Sequence, residues 1–159
     1  MKKAKYHNNK KGMLGIHLDY YLFKDDAAEL KKTFEILKLF SPDDLSVKCE
    51  FFVDEKDYFL DEVELALKCK ADILFTRKKL LSKKTYSKVS VKFNGSLLYV
   101  VLELAIKHVN TLEAKCFDID NHILIEFVIN DNDGSCIHFN TEKYNEEIVK
   151  RKITQILND

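Results

Sequence analysis

The pattern of apolar residues predicts an α+β domain in which an antiparallel sheet is covered by two or three helices. Three observations carry this. Several segments alternate apolar and polar residues with period 2, most plainly between Leu112 and Phe139. Other segments carry apolar stripes at helical spacing. Within 112–139 the strands are separated only by short stretches of turn chemistry, Asp118 to Asn121 and Asp131 to Gly134, so consecutive strands run back and forth as a meander. A meander alone cannot bury its apolar face, so the rest of the chain must cover it.

Taken in order, residues 1–12 (MKKAKYHNNKKG) read as a basic flexible tail, and 13–159 as one domain. Leu14, Ile16, Leu18, Tyr20 and Leu22 alternate with Gly15, His17, Asp19 and Tyr21, giving a first strand. Asp25 or Asp26 caps a helix whose face is Ala27, Leu30, Phe34 and Leu37, and Pro42 stops it. Leu45, Val47, Cys49, Phe51 and Val53 alternate as a second strand. An acidic connection follows, and the alternation of Val63, Leu65, Leu67, Cys69 and Ala71 predicts a strand over 63–71, although good helix formers in that run also permit a helix. Residues 72–85 read as a short strand and a basic loop, and 86–93 as a strand through Val89, Val91 and Phe93. Asn94-Gly95 is a hairpin dipeptide, but Leu97, Leu98, Val101, Leu102, Ala105, Ile106 and Val109 form a helical stripe, with Glu103 and Lys107 an i,i+4 pair, so 96–109 is expected to be a helix capped by Ser96. The meander comes next. A helix from Thr141 to Leu157, with Tyr144, Ile148, Ile153 and Ile156 on its apolar side, ends the chain.

Strand, helix, strand, strand therefore occurs twice, in halves 13–71 and 86–139, followed by the C-terminal helix. A constant offset of 67 supports duplication: it aligns Leu45, Lys48, Cys49 and Cys69 with Leu112, Lys115, Cys116 and Cys136, and Leu30, Phe34 and Leu37 with Leu97, Val101 and Leu104.

The composition excludes several classes. With 46% hydrophobic and 33% charged residues and no apolar run near the ~18 residues a spanning helix needs, the chain is not a helical membrane protein. The lysines near the N-terminus have no apolar h-region after them, which predicts a cytoplasmic protein. Four cysteines without a Cys-x-x-Cys pair fit reduced, mostly buried thiols. Four glycines and one proline leave little material for a phosphate-cradling loop. Net charge is zero but unevenly spread: Glu50 to Glu64 holds seven acids against one lysine, and Ile73 to Leu102 holds seven basic residues and no acid, which predicts a strongly dipolar molecule.

Candidate sites follow from these clusters. His17 and His138 lie on predicted strands opposite the apolar face, and can meet across the sheet as metal ligands. No His-x-x-x-His, Cys-x-x-Cys or calcium-loop spacing accompanies them, so separate surface histidines and no cofactor are expected. Cys49, Cys69 and Cys116 point toward the apolar side, as inert core thiols. Arg77, Lys78, Lys79, Lys83 and Lys84, with Tyr86 and Phe93, are the candidate nucleic-acid contacts, but one arginine and overall neutrality favour a solvated basic face.

With Ile73 to Phe75 as an extra strand and Cys136 to Phe139 as its counterpart, each half reads βαβββ. That topology resembles the paired modules of the vicinal-oxygen-chelate superfamily, the glyoxalase and bleomycin-resistance relatives, over nearly the whole chain. The resemblance implies a metal-dependent small-molecule enzyme or binding protein whose ligands are His and Glu side chains of the first and last strands of the modules. His17 and His138 match two such positions, whereas Phe75, Thr76, Val89 and Val91 offer no ligand at the others.

The function expected first is non-enzymatic protein binding, of the inhibitor or immunity-protein type that blocks a toxin. A basic partner would dock on an acidic region formed by Asp54, Glu55, Asp57, Asp61 and Glu62, because complementary charge speeds encounter and selects partners.

Overall fold

The computed structural model describes residues 4–8, 10–18, 26–40, 46–54, 59–68, 72–78, 85–108, 111–130 and 134–159. In chain order these form β1 (Lys5–His7), β2 (Met13–Leu18), α1 (Asp26–Phe40), β3 (Ser46–Asp54), α2 (Phe59–Leu67), β4 (Asp72–Lys78), β5 (Thr85–Asn94), a 3₁₀ turn (Gly95–Leu97), α3 (Leu98–His108), β6 (Thr111–Phe117), β7 (Ile123–Asn130), β8 (Gly134–Asn140) and α4 (Glu146–Asn158). The eight strands make one sheet in the order β1-β2-β8-β7-β6-β3-β5-β4, with every neighbouring pair antiparallel. The α+β architecture expected from the alternation is the one observed.

One face of the sheet is covered. Leu14, Ile16 and Leu18 of β2, Val47 and Cys49 of β3, Val91 and Phe93 of β5, Leu112, Ala114 and Cys116 of β6, Ile125 and Phe127 of β7, and Ile137 and Phe139 of β8 are all buried there. They form a single cluster with Ile36, Leu37 and Phe40 of α1, Val63 and Leu67 of α2, Leu98, Val101 and Leu102 of α3, and Val149, Ile153 and Leu157 of α4. Side chains at alternating strand positions lie on the opposite, open face.

Two elements depart from the sequence reading. Residues 63–67 belong to helix α2, not to a strand. Val63 and Leu67, four apart, are the positions buried, while Leu65 between them is 80% exposed, so the apparent period of 2 was the coincidence of a helical stripe with an exposed leucine. Asp61 and Glu62 in the first turn complement the helix dipole. The last helix starts later than Thr141: the Asn145 side chain accepts a hydrogen bond from the Ile148 N–H and caps α4. Residues 141–144 instead form a turn, anchored where the Tyr144 hydroxyl donates to the Phe40 carbonyl at 2.8 Å.

The Asn94-Gly95 dipeptide does not make a hairpin. Asn94 accepts from the Ser96 N–H and starts the 3₁₀ turn that runs into α3. Residues 72–78 are a strand, as expected, and β4 is one edge of the sheet. The stretch read as a flexible tail contains β1, the other edge strand, paired with β2 through Lys5↔His17, Tyr6↔Ile16 and His7↔Gly15.

The offset of 67 relates two neighbouring strands. Lys48 of β3 and Lys115 of β6 face each other in an antiparallel pair, with Cys49 opposite Ala114 and Cys116 opposite Val47. The offset of 67 thus exchanges the adjacent strands β3 and β6 about the two-fold that any antiparallel pair has. Beyond them the connections differ: β6, β7 and β8 are neighbours in chain order, whereas α2 intervenes after β3 and the strand beside β3 is β5.

Candidate metal centre

The pairing registers align one row of positions across seven strands of the open face: His7, Gly15, His138, Glu126, Lys115, Lys48 and Lys92. At its β1 end the row gathers metal-ligating side chains. Cys136 and His138 lie two residues apart on β8, so both project to the open face. His7 reaches them from β1, across β2. The Cys136 Sγ is 4.0 Å from His7 Nε2 and 3.8 Å from His138 Nε2. The two imidazoles meet edge to face, with centroids 5.4 Å apart.

Gly15 makes this convergence possible. A Cβ built on Gly15 would stand 2.4 Å from His7 Nε2, far inside contact distance, so the imidazole occupies the space that any other residue's side chain would fill. A glycine inside a strand weakens it and marks a close approach; here the approaching group is His7.

The donor set fits a metal ion. Donor atoms of His7, Cys136 and His138 all lie within 4.8 Å of one another. Tetrahedral zinc, with Zn–S near 2.3 Å and Zn–N near 2.0–2.1 Å, requires sulfur-to-nitrogen separations of about 3.6 Å. The observed 3.8 and 4.0 Å need closure of only a few tenths of an ångström. One thiol and two imidazoles suit zinc, cobalt, nickel or copper rather than calcium or magnesium, which prefer oxygen.

Glu126 borders this set, directly across from His138 on β7. Its side chain is 13% exposed and is paired with Lys10, which reaches over from the turn before β2. The Glu126 Oε1 atom is 3.6 Å from Lys115 Nζ and has no hydrogen-bond partner among the described residues. Burial acts to raise the Glu126 pKa, but the Lys10 bond and the charges of Lys10, Lys115 and His138 outweigh it and hold the carboxyl below its ordinary range. Burial, His7 and Lys10 push His138 down against the pull of Glu126, which favours the neutral imidazole, the form that ligates. Burial raises the Cys136 thiol.

Of the two histidines chosen from sequence, the structure places His138 in this cluster. His17 lies opposite Cys136 on β2, and the second imidazole of the donor set is His7. The β8 pair was readable: with Ile137 and Phe139 inside, alternation puts Cys136 and His138 outside. His7 was not, because nothing in AKYHNN marks a strand. Cys49 and Cys116 are buried in the core as expected, with burial raising the Cys49 thiol well above its usual range; Cys69 lies outside the described residues.

Other sequence-derived sites are less convergent. Asp61 and Glu62 are exposed on α2, Asp54 ends β3, and Glu55 and Asp57 lie outside the described residues. Arg77 and Lys78 lie on β4, and Lys79, Lys83 and Lys84 are outside the described residues. Asp54 and Arg77 both pair with Tyr86, from opposite sides of β5. Asp54 and Arg77 thus lie level with one another, two strands apart. A second group of donors, Asp118, Asp120 and His122, is a turn: the Asp118 carboxylate accepts from the N–H groups of Asp120 and His122 at 3.0 and 2.8 Å.

No helix among the described residues is long and apolar enough to cross a membrane. Comparison of the chain with protein family models, characterised proteins and solved structures found no match.

Proposed function

We propose that this protein binds a transition-metal ion through His7, Cys136 and His138, and works as a metal-dependent small-molecule enzyme or binding protein. The convergence of one thiol and two imidazoles from β1 and β8, over a glycine that leaves them room, carries this reading. Three protein ligands leave a fourth tetrahedral position, the arrangement by which metal centres hold water or a small molecule. Zinc titration with calorimetric detection tests it: the wild-type chain is expected to bind one equivalent, and Cys136→Ser and His7→Ala to bind far more weakly. Equal affinity in all three proteins would contradict it.

A second reading retains protein binding of the inhibitor or immunity type. Leu65 is 80% exposed on α2, one turn from the exposed Asp61 and Glu62, so an apolar anchor is flanked by acids as a basic partner would require. Native mass spectrometry of the protein from its own host is expected to show a stoichiometric basic partner that Asp61→Lys with Glu62→Lys releases. A partner retained by that variant would contradict it.

A further inference from the structure

The donor set at the open face is one oxygen short of neutrality, and the missing oxygen is nearby. A divalent ion on one thiolate and two neutral imidazoles carries a net charge of +1 at a half-buried site. Beside it stands the Lys10 ammonium, drawn over the sheet by its ion pair with Glu126. Glu126 is the direct cross-strand neighbour of His138, yet its oxygens are not among the donor atoms that lie within 4.8 Å of one another. The carboxylate is therefore next to the site but committed to a lysine.

We propose that Glu126 supplies the fourth ligand while no small molecule occupies that position, and that Lys10 is the cation the metal displaces. The proposal rests on the metal-binding reading above. In the metal-free protein, Lys10 neutralises Glu126 and occupies the carboxylate. When the ion enters, Cys136 gives up its thiol proton to solvent, the Glu126 side chain turns toward the ion, and Lys10 leaves still protonated. Thiolate and carboxylate then balance the two positive charges, and a bound ion, the largest local charge, no longer faces an ammonium group. The Lys10 side chain is released while His7, a few residues earlier, is fixed by the ion, and the turn's own backbone bonds, Met13 N–H to the Lys10 carbonyl and Thr141 N–H to the Gly12 carbonyl, stay in place. Metal occupancy is thereby translated into the freedom of a surface lysine.

The test is titration of the full-length protein with Co²⁺, followed by absorption spectroscopy and zinc competition. A thiolate-to-cobalt band is expected in the wild type and absent in Cys136→Ser. Lys10→Met, which removes the competing cation from a side chain that is 51% exposed, is expected to tighten cobalt binding by about fivefold or more, the scale of two unit charges about 4 Å apart under the full screening of water. Glu126→Gln is expected to weaken it by about 10–100-fold and to shift the ligand-field bands. Selective acylation of Lys10, read by mass spectrometry of its peptide, is expected to quicken on metal loading and needs no variant to fold. A wild-type thiolate band with Lys10 reactivity unchanged and both variants within twofold of wild type would overturn the exchange and leave the metal site standing. Absence of the band in the wild type would overturn both.

Discussion

Strand β8 presents two environments one residue apart. Ile137 and Phe139 face the helices and are 0% exposed, with the Phe139 ring edge to face against both Phe40 and Tyr144. Cys136 and His138 face the other way, among His7, Gly15 and Glu126. The first pair belongs to the core, and the second is a set of potential metal ligands outside it. An eight-stranded sheet needs helices on one face only, and the face left open is free to carry ligands on strands whose register the core has already fixed.

Substitution along β8 sharpens the contrast. Phe139→Ala is expected to cost about 3–5 kcal/mol in denaturant unfolding, because it removes a fully buried ring and leaves a cavity. His138→Ala is expected to cost less than about 1 kcal/mol, as do most substitutions away from a packed core, while removing metal affinity. If the two variants lost stability equally, the division of the faces would be wrong.

Gly15→Ala separates position from donor identity. It deletes no ligand, and alanine suits a strand interior better than glycine by roughly 0.5–1 kcal/mol, but the new methyl takes the place of the His7 ring. Metal affinity is expected to fall by about 10–100-fold, as for other changes that misplace a ligand, while the metal-free protein is no less stable than wild type. Tyr144→Phe acts on the covered side only. Losing the hydrogen bond to the Phe40 carbonyl is expected to cost about 0.5–1.5 kcal/mol with metal binding unchanged. The same burial that seats this ring pushes its hydroxyl pKa up to about 12.

The smallest effect is acidic. The backbone N–H of His122 holds the Asp118 carboxyl below its ordinary value of 3.8, helped by the His122 and Lys143 side chains against some burial. A carboxyl depressed in the folded state stabilises above its unfolded pKa and loses that contribution as pH falls through the folded one. Asp118→Asn is expected to flatten the decline of stability below pH 3.8, and an unchanged slope would show that the turn contributes nothing.

The covered face was legible because burial imposes periodicity. Leu14, Ile16 and Leu18 announced their strand, and Ile125, Phe127, Ile137 and Phe139 announced the meander. The pattern misled at Leu65, where one exposed leucine between Val63 and Leu67 turned a helical stripe into an apparent alternation. The open face was half legible. Alternation assigned His138 to it; Cys136, two residues away on the same face, was grouped with the buried thiols, and Gly15 was read only as a strand position, although a glycine inside a strand marks a close approach. His7 is 129 residues from Cys136, and only the pairing of β1 with β2, and of β2 with β8, brings the two together.

X-ray absorption at the zinc edge of the zinc-loaded chain tests the central claim most directly. One sulfur near 2.3 Å with nitrogen and oxygen neighbours near 2.0–2.1 Å is the predicted shell, with the sulfur lost in Cys136→Ser. A shell of light atoms alone in the wild type, or a sulfur that survives Cys136→Ser, would contradict it.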